Sequence, residues 1–231
     1  TFVPNPNYYN PDLPYVDVME NRFMFEPSVA AAALRAGQLD SWGIMVTLPV
    51  SLAQELEKVD SLVVEYVPGG WYWPWNFDLH NPPFNDVRVR RALALSIDRE
   101  SWIEDLYFGH GNNVVLMEPF LEYWNLDPKD MSGDAGRYYT TYDPEAAKKL
   151  LVEAGYPNGF EFGVTTSNAA AHVVSHQMIE LAKAYFEAIG VTMKINVIDY
   201  GAWLRSKIKT GSINQSGIAR PALSTFVHSM I

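Results

Sequence analysis

His172 and His176 stand four residues apart in a stretch that reads as a helix, so their imidazoles share one face. Two such nitrogens could begin a metal site, but a zinc peptidase needs HExxH, with a glutamate as general base. Here Val173, Val174 and Ser175 intervene, and the glutamate is missing. Solvated helix histidines are the simpler reading. His80, His110 and His228 have no partner at a diagnostic spacing, and there is no GxSxG elbow, no Walker A loop and no GxGxxG after a strand. The absence of cysteine excludes disulfides, thiolate catalysis and Cys-ligated metals. Adjacent acids such as Glu104 and Asp105 fall on a solvated helix face. The expectation is therefore no catalytic residue, no metal and no cofactor, which is consistent with a binding protein. The alternative is an α/β hydrolase or metal-dependent enzyme using His172 and His176.

Two further groups could bind rather than react. Arg88, Arg90 and Arg91 crowd the first turn of a helix, where the helix dipole disfavours positive charge, so carboxylates elsewhere in the fold are expected to compensate them. The stretch WYWPWNF places Trp71, Trp73, Trp75 and Phe77 at one parity and Tyr72, Pro74 and Asn76 at the other. On a strand, three tryptophans would line one face, either as a buried aromatic core or facing a cleft. Pro74 lacks a donor, so such a strand must lie at an edge or a crossover.

The elements that must position these groups are legible from local signals. Pro82 and Pro83 keep the chain extended into Asp86, an N-cap for a helix striped with Val89, Leu93 and Ile97. Asp98 opens a second helix carrying Trp102, Ile103, Leu106 and Tyr107, stopped by Gly109. Asp143 caps, Pro144 takes the first helical position, and Gly155 closes the helix they begin. Strands are expected at 15–25, 39–46, 62–67, 160–166 and 191–197. Further helices are expected at 29–36, 49–58, 170–189 and from Asp199 to Gly211, with Val174, Met178, Leu181, Ala182, Tyr185 and Ile189 on the apolar side of the longest. Residues 112–142 read as loop, and 212–231 carry no firm pattern. Alternation of strand and helix signals an α/β architecture.

The stretch PPFNDVRVRRALALSIDRE, residues 82–100, resembles the signature of family 5 extracytoplasmic solute-binding proteins, the oligopeptide, dipeptide and nickel receptors of ABC importers. Further landmarks follow the order of that family: NPNYY near the start, ALRAGQLD, WNFDLHNPPF, YDPEAAKKLLVEAGYPNGFEF, and a helix ending in AIGVTMKINV. Together they span nearly the whole chain. The resemblance implies an α/β, periplasmic-binding-protein-like two-lobe architecture of type II, present here as an incomplete fragment. It implies an export signal and most of one lobe ahead of NPNYY, and further chain beyond the last residue. Residues 1–76 would be the C-terminal portion of lobe I with a crossover strand, and 77–231 most of lobe II.

The same resemblance implies a small-molecule, peptide or oligosaccharide ligand captured by hinge closure, an ABC permease as partner, a monomeric receptor and a periplasmic or extracellular place, with a lipoprotein anchor among the possibilities. Aromatic positions before the matching Asn76 contact ligand in the family, which transfers to Trp71, Tyr72 and Trp73. Peptide-binding members carry an aspartate for the peptide α-ammonium soon after the last strand. The matching stretch here, SGIARPALSTF, has no acidic residue and offers Arg220 instead, a cation with five donors suited to carboxylate, phosphate or sugar oxygens.

Composition is consistent with this. The chain has 231 residues, 48% hydrophobic and 19% charged, enough to bury a sizeable core. Its net charge of −10 argues against a nucleic-acid surface. No apolar run is long enough to span a bilayer, and the first residues form no signal peptide.

Overall fold

The structure, a computed structural model, describes residues 1–24, 26–42, 48–68, 77, 79–111, 113, 126–167, 173–207 and 223–229. Two units with separate cores carry them. The first holds α1 (Pro27–Arg35), β1 (Ser41–Trp42), α2 (Val50–Leu56), β2 (Leu62–Pro68) and the last strand, β5 (Leu223–Ser229). The second holds α3 (Val87–Leu95), α4 (Arg99–Tyr107), α5 (Arg137–Thr140), α6 (Pro144–Glu153), β3 (Phe160–Ser167), α7 (Val173–Ala188), β4 (Val191–Ile198) and α8 (Tyr200–Lys207).

In the first unit β5 lies between β1 and β2 and is antiparallel to both, running from Leu62 opposite Ser229 to Pro68 opposite Leu223. The sequence division places 77–231 in one part, yet residues 223–229 complete the sheet of the other. Ala31, Leu34, Leu48, Ala53, Leu56 and Leu62 pack beneath it. The strand expected at 15–25 is absent from the described residues there, where a single bridge joins Phe2 to Met19. Val16, Val18 and Phe23 are exposed, so the parity that suggested a strand has no described neighbour to bury against.

The second unit is built on a βαβ step. β3 and β4 pair in parallel from Phe160 opposite Val191 to Ser167 opposite Ile198, and α7 crosses between them. β4 begins with the expected alternation, Val191 and Met193 buried against exposed Thr192 and Lys194, and then emerges at Val197. Of the stripe expected on α7, Ala182 and Ile189 are buried in the core and Met178, Leu181 and Tyr185 pack against it, while Ile179 and Phe186, which the stripe omitted, are buried deepest beside them. The apolar arc of α7 is thus broader than the expected stripe, as suits a helix that covers a sheet.

The caps fall where the carboxylates are. Asp86 accepts from the Arg88 amide at 2.8 Å, Asp98 from Ser101 at 3.0 Å, Asp143 from Ala146 at 2.9 Å and Asp199 from Ala202 at 3.1 Å. The three arginines of α3 are compensated in three ways. Arg88 forks onto the Asp86 carboxylate, with Nη2 at 2.6 Å, and reaches the Glu153 carbonyl at the end of α6, also at 2.6 Å. That guanidinium holds the Asp86 carboxyl below the usual carboxylate range. Arg90 donates to the carbonyls of Phe84 (2.6 Å) and Asn85 (3.2 Å), while Arg91 lies 4.9 Å over the Tyr138 ring. The carboxylate expected elsewhere in the fold is Glu153 of α6, whose charge also favours the Arg88 guanidinium. Among the described residues, the carboxylate in direct contact is Asp86, the helix's own cap.

Two short elements interrupt the stretch read as loop, a 3-10 turn at Pro128–Asp130 and α5.

Candidate ligand site

The register of β2 and β5 brings the ends of two connections to one place in the sheet. The chain leaves the first sheet after Pro68, builds the second unit, and re-enters that sheet at Leu223, directly opposite Pro68. Segments 69–76 and 208–222 therefore connect the two units, and both depart from one paired position at the same end of the sheet. Trp71, Tyr72, Trp73 and Arg220, the four residues expected to touch ligand, belong to these two connections and lie outside the described residues, as do Trp75 and Asn76.

The described residues around the connections are aromatic. Phe77, which follows the first, stacks on Phe84 at 5.0 Å, and Phe84 meets Phe162 edge-on at 5.3 Å, anchoring the entry to the second core. On the first unit's side, Tyr66 stacks on His110, just beyond α4, with ring centroids 4.0 Å apart and planes 7° from parallel. Val50 of α2 and Tyr107 of α4 are buried against one another's surroundings at the same junction, with Tyr66 and Leu106 packed around them. Sequence reasoning passed over His110 because it sought ligand spacing. The local signal was the left-handed pair Phe108 and Gly109, φ 50° and 79°, which ends α4 and turns the chain into His110.

The Tyr66 hydroxyl is buried and, among the described residues, finds no partner in good hydrogen-bond geometry. Burial first, and then the Glu57 carboxylate, push the phenol from 10.0 up to about 12. The folded value lies above the unfolded one, so this group's contribution to stability is full below pH 10 and is lost as pH climbs through about 12. Stability measured across that window should fall less steeply in Tyr66→Phe than in the parent chain. Identical slopes would remove Tyr66 as a titrating group.

His176 offers its Nε2 to the Ser167 carbonyl at 2.6 Å, a contact that ties α7 to the end of β3, and His172 lies outside the described residues. Separately, a cavity of about 440 Å³ opens beside the start of α4, lined by Asp98, Arg99, Asn113, Lys129 and Tyr139 among others. Arg99 donates Nη1 to the carbonyls of Ala94 (2.9 Å) and Ile97 (3.4 Å), placing its charge at the C-terminus of α3, where the dipole favours a cation. Burial draws that guanidinium below its ordinary value.

Residues 1–219 match the model of the bacterial extracellular solute-binding proteins, family 5, middle region. The chain belongs to this family.

Family 5 proteins are solute-binding components of transport systems, and this chain has relatives of several named kinds. It is 36% identical over 141 residues to heme-binding protein A of Haemophilus influenzae, covering 59% of this chain and 24% of that protein. To the oligopeptide-binding protein AppA of Bacillus subtilis it is 26% identical over 210 residues, covering 86% of this chain and 36% of the relative. Among solved structures, the periplasmic binding protein DppA of Helicobacter pylori, in complex with the peptide STSA, superposes on 99% of this chain and 40% of its own, with a TM-score of 0.73 at 24% identity. The fold is thus the α/β fold of the type II periplasmic binding proteins. The chain spans between 24% and 40% of the length of these family 5 relatives.

Proposed function

We propose that this chain is part of the extracytoplasmic receptor of an ABC importer, capturing a small solute between two lobes. One lobe is built on the β1–β5–β2 sheet with α1 and α2, and the other on residues 77–207. The observation that carries this reading is the pairing of Pro68 with Leu223 in a chain of family 5. Two connections that leave one point of a sheet form a hinge, and a solute held between the lobes favours the closed state over the open one through contacts to both. In the sequence, Trp71 lies three residues beyond Pro68 and Arg220 three before Leu223, within the two connections. Trp71, Tyr72 and Trp73 supply stacking faces and Arg220 supplies donors. The receptor performs no chemistry on its solute, works as a monomer in the periplasm or outside the cell, with or without a lipid anchor, and delivers the solute to a membrane permease.

Arg220 sets the class of solute. A free α-ammonium beside it is repelled, whereas carboxylate, phosphate and sugar oxygens accept its hydrogen bonds. Neutral or anionic solutes such as oligosaccharides are the expected ligands, and plain peptides with a free amino terminus the poor ones. Native mass spectrometry of the full-length protein, followed by calorimetry with oligosaccharides and with unmodified tripeptides, tests both levels. Retention of a neutral or anionic solute, lost at least tenfold in affinity in Arg220→Ala, is expected; that loss corresponds to ~1.4 kcal/mol. Submicromolar binding of a plain tripeptide would return the receptor to peptides, and no retained or added solute at all would overturn the capture reading.

A further inference from the structure

We infer that Tyr66 and His110 are positioning residues, whose stack sets the angle between the two units across which the solute is captured. This rests on the two-lobe reading above. The cores on either side are independent. One runs from Phe84 and Val89 to Met193, the other from Ala31 to Leu62; Tyr66 packs against the edge of the second, and neither holds Tyr66 or His110 among its buried members. Among the described residues, one apolar cluster draws on both units, formed by Val50 and Tyr107 with Tyr66 and Leu106 around them. His110 continues it, laying its imidazole on the Tyr66 ring at 4.0 Å and 7°.

The geometry suits a pivot. Tyr66 lies two residues before Pro68, where the first connection departs, and His110 directly follows the left-handed turn that ends α4. Two stacked rings in parallel planes resist tilting against each other but allow sliding parallel to those planes. A small change in the overlap of this pair therefore translates into rotation of one unit against the other. On the far side Tyr107 donates its hydroxyl to the sulfur of Met178 on α7, at 3.6 Å, which links the junction to the βαβ core. The phenol, held neutral to about pH 12, keeps the Tyr66 face of the stack uncharged under ordinary conditions.

The test uses the full-length protein without solute, carrying spin labels at Lys58→Cys on the first unit and Lys149→Cys on α6. Both positions are exposed, and this chain contributes no other cysteine. Pulsed electron paramagnetic resonance then reads the distance between units. In His110→Ala the distance distribution should shift or broaden while the thermal midpoint changes little, because His110 belongs to neither core. His110→Phe, which restores a ring for Tyr66 to stack on, should return the parental distribution. An unchanged distribution in His110→Ala overturns the inference, as does a changed one that His110→Phe fails to restore. The readout needs no solute, so failure of the capture reading would show in calorimetry and leave the distances to decide this point by themselves.

Discussion

Replacing Phe186 by alanine is expected to destabilise the second unit by ~3–5 kcal/mol, the largest effect of any single side chain in it. Phe186 is 1% exposed and stands at the centre of the face that α7 presents to the parallel strands. Its ring meets Phe162 of β3 at 6.0 Å, and Phe162 in turn packs edge-on against Phe84, ahead of α3. Removing the ring opens a cavity that backbone on both sides prevents from collapsing, because α7 is tethered to β3 and β4 at its two ends. Chemical denaturation comparing Phe186→Ala with Phe186→Leu checks this. The leucine variant fills most of the volume and should recover a large part of the loss. A loss below about 1 kcal/mol in the alanine variant would mean that this face of α7 is not the core.

Gly159→Ala is the second large effect, with an expected loss of at least ~2 kcal/mol. Gly159 and Gly190 each stand one residue ahead of a strand, and the strands they introduce begin paired, Phe160 opposite Val191. Both glycines have left-handed backbone, φ 71° and 85°. The difference lies in what surrounds them. A Cβ on Gly159 would run into the carbonyl of Gly190, whereas one on Gly190 meets nothing closer than 3.8 Å. Gly190→Ala therefore carries only the left-handed penalty, ~1 kcal/mol. Gly159→Ala adds a backbone collision that can be relieved only by separating the strand starts. Urea midpoints of the two variants should differ in that order. Equal midpoints would show that β3 and β4 do not enter the sheet this tightly.

Much of the second unit was legible because its signals are local. An aspartate followed by a stripe at helical spacing identifies a cap and a helix within a few residues, and the amides capped by Asp86, Asp98, Asp143 and Asp199 belong to the next two or three residues. The glycine after α6 and the alternation from Val191 to Lys194 were readable for the same reason. The candidate ligand residues came from resemblance to a family and from the parity of WYWPWNF, and the chain's membership of family 5 supports the class of function they were assigned to.

By itself, then, the sequence determined where helices start and stop, that strands and helices alternate, and which family's landmarks the chain carries. The tertiary structure decided the relations between distant residues. β5 has no periodic apolar signature of its own and is a strand because β1 and β2 flank it, supplying the hydrogen bonds that its residues could not find locally. The width of the face that α7 buries was decided by the sheet it covers, which takes in Ile179 and Phe186 beside the expected stripe. The arginines of α3 found carbonyls and a ring that no charge count reveals. Tyr66 and His110 meet although one lies in each of two units with separate cores, and a contact of that kind leaves no period in either stretch of sequence.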